Sequence, residues 1–262
     1  ALDVTTGHTR WVFNEADWVG SSPCIGAPHN LLFVGLEFGL FKKRGGIAAL
    51  DATTGKKQWE YSMPGLTHAS PAYSARYRAV GIGCNDATFY LFDAKTGALR
   101  WQYQTGGDIK YAPVFDERYA RVLFGSHDGT LYALNVKTGV EEARFQTEGE
   151  IYSTPCIHND AIYVSSMDKR LYCLDRETLI ERWRIETHGK ILSSPVVINS
   201  RVYIGSNDGF LYEVNHAGTH TGFFHAGERI VNNIVYNKET DTYFLWTHAN
   251  QLYKLTRHNQ PI

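Results

Sequence analysis

The 262-residue chain is expected to fold as an all-β protein, a β-propeller of six four-stranded antiparallel blades. One phrase recurs along it: Ala1-Leu2-Asp3-Val4-Thr5-Thr6-Gly7 ending in Trp11, Ala49-Leu50-Asp51-Ala52-Thr53-Thr54-Gly55 ending in Trp59, and Leu91-Phe92-Asp93-Ala94-Lys95-Thr96-Gly97 ending in Trp101. Degenerate copies follow at Ala133-Leu134-Asn135, Cys173-Leu174-Asp175, Glu213-Val214-Asn215 and Tyr253-Lys254-Leu255. The copies start about forty residues apart, and a period of that size filled with short strands is the signature of propeller blades. A proline also recurs ahead of each unit, at Pro23, Pro71, Pro113, Pro155 and Pro195, with Ile234 in the last.

Residues 191–225 show one unit clearly. Ile191–Ile198 reads as an innermost strand, whose free edge tolerates a proline that donates no hydrogen bond. Arg201–Gly205 alternates as a packed second strand. Ser206-Asn207-Asp208-Gly209 is a tight hairpin turn, with Asp-Gly supplying positive φ. Phe210–Val214 is the third strand. In the better copies Asp-x-x-Thr-Gly then turns the chain, Asp capping amides and Gly taking the left-handed position. The outer strand carries the tryptophan.

Six inner, six third and six outer strands can be counted, but the last repeat stops after its third strand while the chain opens on a lone outer strand, Thr9 to Phe13. The economical solution lets Thr9–Phe13 complete the last blade, making 1–262 one closed domain. The rival is part of a seven- or eight-bladed ring, and the start within a repeat suggests a piece of something longer.

A formal net charge of −1 gives no field to recruit nucleic acid or an anionic membrane, and no apolar run approaches a membrane span. Cys24, Cys84, Cys156 and Cys173 fall on strands of blades that should keep them apart. Unpaired thiols point to a reducing, cytoplasmic location.

Ala-Leu-Asp-x-x-Thr-Gly-x-x-x-Trp, preceded by Gly-Ser-x-Asp-Gly-x-Leu-Tyr and followed by a Ser-Ser-Pro strand, resembles the PQQ-like repeat of quinoprotein dehydrogenases and of the non-catalytic BamB type of propeller. The resemblance covers essentially the whole chain. It implies the fold, and function only weakly. Quinoprotein dehydrogenases add a vicinal disulfide, a calcium cage, a catalytic Asp and eight blades. This chain has no Cys-Cys pair, so PQQ is not expected. The non-catalytic members work as scaffolds.

No catalytic or metal motif is present, and His216, His220 and His225 span a hairpin on diverging faces. Trp11, Trp59, Trp101 and Trp183 are expected to staple neighbouring blades, with Phe145 and Phe224 substituting where Ala143 and Gly222 replace tryptophan. Matching positions across repeats is more informative. Five residues before the proline stand Trp18, Leu66, Asp108, Glu150, Lys190 and Arg229. Three before it stand Gly20, His68, Lys110, Tyr152, Leu192 and Val231. These positions lie at one mouth of the channel, so Trp18, His68, Asp108, Lys110, Glu150, Tyr152, Lys190 and Arg229 are the candidate binding residues. The first blade departs from the repeat at 36–46, where Phe38, Phe41, Lys42, Lys43 and Arg44 make a candidate interaction loop. The expectation is a non-catalytic recognition or scaffold propeller within a larger protein, taking a protein or peptide partner. The alternative is a small-molecule sensor or enzyme using the channel as its pocket.

Overall fold

The structure is a computed structural model describing residues 1–39 and 43–256. Its described residues form six antiparallel sheets whose strands are neighbours in chain order. The first contains Cys24–Gly26, Leu31–Phe38, Arg44–Asp51 and Lys57–Met63, and the second Ala72–Ser74, Ala79–Gly83, Thr88–Asp93 and Leu99–Gln104. Val114–Asp116, Arg121–Gly125, Thr130–Asn135 and Glu141–Gln146 make the third. Cys156–His158, Ala161–Ser165, Arg170–Asp175 and Glu181–Glu186 make the fourth, and Val196–Ile198, Arg201–Gly205, Phe210–Val214 and His220–His225 the fifth. The sixth holds only Val235–Asn237, Thr242–Trp246 and Leu252–Thr256. No helix among the described residues is long and apolar enough to cross a membrane.

The chain packs as two compact units, Ala1–Val122 with Leu134–Val140 and Leu123–Ala133 with Glu141–Ile262. Within the first, Phe33, Ile47, Val80, Ile82, Tyr90 and Phe92 form a core under Trp59 and Tyr61. Within the second, Tyr163, Leu171, Ile204 and Val214 do so under Trp183. Five sheets have the expected four strands and the sixth has three. The expected closing strand is accounted for locally: Thr9 is bridged to Leu2, and Arg10 N donates to Ala1 O at 2.9 Å.

Each sheet has two ends, and the end carrying Asp-x-x-Thr-Gly is built from side chains that cap their own turn. Asp51 Oδ1 accepts from the amide of Thr54 at 2.7 Å and its hydroxyl at 2.9 Å. Gly55 (φ +74°) closes the loop onto Asp51 O. Asp93 and Asp175 repeat this, while Asn135 and Asn215 reproduce the amide caps. Each tryptophan then docks on the turn of the sheet that follows it in the chain. Trp11 Nε1 donates to Ala52 O (3.2 Å), Trp59 to Ala94 O (3.1 Å), Trp101 to Val136 O (2.9 Å) and Trp183 to His216 O (2.8 Å). Each indole lies against the positive-φ glycine of that turn; a Cβ on Gly139 would come within 2.7 Å of Trp101. Phe145 packs edge-on to Tyr172 and Phe224 to Tyr253, ring centroids 5.2 Å apart in both pairs, as Tyr61, two residues past Trp59, packs on Tyr90; neither phenylalanine takes the tryptophan's place on the turn. The structural reading of the tryptophans therefore holds.

The opposite end differs from expectation in one respect. Gly129 (φ +83°) and Gly209 (φ +87°) supply positive φ in their hairpin turns, but Ala87 (φ 64°) and Lys169 (φ 73°) do so in the second and fourth sheets. The constant element in these four turns is the Asp immediately before. Asp86 and Asp208 each cap the turn and accept a tyrosine hydroxyl at 2.7 Å, from Tyr90 and Tyr212.

Trp101→Ala should cost on the order of 3–5 kcal/mol in chemical denaturation. Gly139→Ala should cost roughly 1–2 kcal/mol or more, through its left-handed backbone and its clash with the same ring. The turn aspartates make acid sensitivity a second readout. Burial raises the Asp93 pKa, but Arg100 at 2.8 Å and the Thr96 bonds outweigh it and hold it at about 2. This contribution is complete above the unfolded pKa of about 3.9 and is lost as pH falls towards the folded value. Asp93→Asn keeps a side chain already used at 135 and 215, so it should fold normally and lose part of the stability change between about pH 5 and pH 2.

Candidate functional site

The hairpin end of each sheet also receives the segment entering from the preceding sheet. Three repeated devices seat that segment. A residue four before the proline, Ile109, Ile151 or Ile230, is fully buried and lies over Gly83, Gly125 or Gly205, where a Cβ would come within 2.2 Å of the isoleucine. Glycine is required there by close approach rather than by φ. Serines two before the proline bond to the second strand of the sheet they enter: Ser153 Oγ donates to Ser165 O and Ser193 Oγ to Gly205 O, at 2.9 and 2.8 Å. The residue just before the proline reaches its neighbour, Ser22 N donating to Ser70 Oγ and Thr154 N to Ser194 Oγ, both at 2.9 Å.

The expected binding residues ride on this frame. Within the first unit, Trp18 O accepts from Glu37 N (3.0 Å) and Leu66 O from Asn85 N (2.9 Å). Within the second, Glu150 O accepts from Met167 N, Lys190 O from Asn207 N and Arg229 O from His248 N, all at 2.9 Å. The backbone is thus fixed while the side chains of Trp18, Glu150, Lys190 and Arg229 stay exposed. Asp108 is ion-paired to Lys110 at 3.1 Å, so these two offset one another. Tyr152 stacks on His127 at 4.0 Å. His68 is exposed and its Nδ1 lies 2.9 Å from Glu37 Oε1, whose side chain is only 5% exposed.

The candidate loop is largely strand. Glu37 and Phe38 extend the second strand and Arg44 opens the third, so this hairpin has eight-residue strands where other sheets have five or six. Phe38 and Arg44 are cross-strand partners with the guanidinium 3.6 Å above the ring. Lys43 is exposed; Phe41 and Lys42 lie outside the described residues. Sequence reasoning missed Glu37 because it marks no motif. The available signal was its alignment with Asn85, His127, Met167, Asn207 and His248 at the end of the second strand.

A cavity of about 200 Å³ opens at the turn end of the second unit, lined by His158, Asp160, Tyr163, Arg182 and His216. His216 occupies the position of Ala52 and Ala94. Its Nδ1 is 2.7 Å from the Tyr163 hydroxyl, and its ring stacks on His158 at 5.2 Å. Burial, and then the His158 ring, push the His216 pKa below 6.5, against the pull of Asp160. Arg182 is held by Asp175 at 2.7 Å and Asp160 at 2.9 Å. His225 stacks on Phe210 and His220 tilts against Tyr212, so these histidines go separate ways from His216.

The family model described as beta-alanine-activating enzyme, beta-propeller matches residues 42–260. The chain belongs to that propeller family. Solved structures sharing its fold include BamB from Moraxella catarrhalis, 19% identical, with a TM-score of 0.62 over 97% of this chain and 87% of that one. The computationally designed Ika8 protein is 17% identical, with a TM-score of 0.69 over 89% of this chain and 73% of that one. At such identities the likeness is one of fold. No curated protein matches the chain.

Among the described residues no three His, Cys, Asp or Glu side chains gather as metal ligands. The four thiols are free, and burial raises Cys84 to about 12 and Cys173 to about 11.

His216→Ala restores the residue of other sheets and should fold. Folded His216 resists protonation, so the unfolded chain takes up the proton as pH falls through about 6.5 and stability drops. Denaturation at about pH 7.5 and pH 5 should show a smaller loss in His216→Ala than in the parent.

Proposed function

We propose that this chain is a non-catalytic recognition propeller, one domain of a larger enzyme of the β-alanine-activating kind, whose hairpin end takes a protein or peptide partner. The observation that carries this reading is a division between the sheet ends. The turn end repeats the same caps and tryptophan staples, whereas the hairpin end changes its side chain from sheet to sheet, Trp18, Leu66, Asp108, Glu150, Lys190, Arg229, on a backbone held by the same hydrogen bond at 18, 66, 150, 190 and 229. A constant frame displaying variable side chains suits recognition. The family description supports it, since it names the propeller as a part of an enzyme.

The runner-up, a small-molecule sensor, draws on the cavity beside His158 and His216, at the other end of the fourth sheet.

Photo-cross-linking separates the two. A benzoylphenylalanine at Glu150 should trap one discrete protein, and the same group at Ile180, exposed in the opposite turn, should trap none. Equal labelling at both ends overturns the recognition reading. So does saturable binding of β-alanine to the purified chain that His158→Ala abolishes.

A further inference from the structure

We propose that the Trp18–Glu37 corner binds a primary ammonium group, the side-chain terminus of a lysine presented by a protein partner. The inference rests on the reading of the hairpin end as a protein-recognition surface. Glu37 is 4% exposed. Its Oε1 accepts no hydrogen bond of good geometry, and the ionisable group facing it is His68 Nδ1, at 2.9 Å. A buried carboxylate oxygen without a donor is a costly arrangement, and it asks for a cation carrying several N–H groups.

Three features shape the opening. Trp18 and Glu37 exchange both backbone hydrogen bonds, at 3.1 and 3.0 Å. Directly paired residues project to the same face, so the indole stands beside the carboxylate. That indole is 54% exposed and packs over Gly39. Gly20 is exposed, and a Cβ there would lie 2.8 Å from Glu37 Oε1 and 3.4 Å from His68 Nδ1. The missing side chain is the way in. A carboxylate reached past a glycine, beside an aromatic face, matches an ammonium on an apolar stem: the charge meets Glu37, and the methylenes and cation lie along the indole. Asn85, at the same position of the next sheet, likewise has a buried Oδ1 that accepts no hydrogen bond.

The test uses Nα-acetyl-lysine methylamide and its uncharged isostere Nα-acetyl-norleucine methylamide on the full chain. The readout is the Trp18 indole N–H resonance, assigned by Trp18→Phe. The lysine amide should shift it saturably and the norleucine amide should not. Glu37→Gln should weaken the response about tenfold or more. Gly20→Ala should abolish it by filling the opening, and decides the matter should Glu37→Gln fail to fold. Equal response to both amides, retention of binding in Gly20→Ala, or equal competition by calcium overturns the site. Cross-linking at Glu150 is independent of this corner, so a trapped partner together with a silent Trp18 would reject the ammonium site alone.

Discussion

The docking of an indole from one sheet onto the turn of the next is the contact on which the rest depends. A tight turn with a positive-φ glycine leaves a flat, side-chain-free patch and an outward carbonyl beside it. An indole is the one side chain that can cover such a patch and still donate to that carbonyl. The Asp cap, the threonine and the glycine therefore serve more than the turn: they make a socket of fixed geometry for a neighbour. Arginine before the tryptophan adds a tie within its own sheet, Arg100 to Asp93 and Arg182 to Asp175. Because those pairs are partly exposed they add little each; the half-buried ring and its hydrogen bond carry the energy.

Much of this was legible because it repeats. The Asp-x-x-Thr-Gly phrase, the tryptophans, the recurring proline and the hairpin turns identified strands and their order. What escaped notice was what single residues do through close approach. Ile109 over Gly83 and Ile151 over Gly125 look in sequence like an ordinary apolar residue and an ordinary strand glycine. The Ser22–Ser70 and Thr154–Ser194 bonds join residues about forty positions apart, beyond any local pattern. The 36–46 segment reads as an inserted loop because the corresponding hairpins elsewhere have four-residue turns. Gly45 and Gly46 instead sit in a strand crossed closely by neighbours: a Cβ on Gly45 would meet Thr67 Oγ1 at 2.2 Å, and one on Gly46 would meet Tyr61 O at 3.0 Å.

Site residues were legible by position but not by pairing. Aligning the entry segments found the exposed ends of Trp18, Glu150, Lys190 and Arg229. It did not show that Asp108 is offset by Lys110, nor that the residue opposite Trp18 is a buried glutamate. Charge read from sequence counts formal charges; the structure shows which of them already have a partner.

The departures from the repeat carry information that a non-repetitive fold would hide. Other sheets show what each position needs for folding, so a residue that exceeds the need stands out. Alanine suffices at 52 and 94, yet the fifth sheet places His216 there, joined to a buried tyrosine. The end of the second strand is satisfied by Met167 in the fourth sheet, yet the first buries Glu37 there. A buried carboxylate adds nothing to packing that an uncharged residue would not supply at lower cost. The burden of explanation therefore falls on what approaches it from outside, and the exposed indole and bare glycine beside it mark the direction of approach.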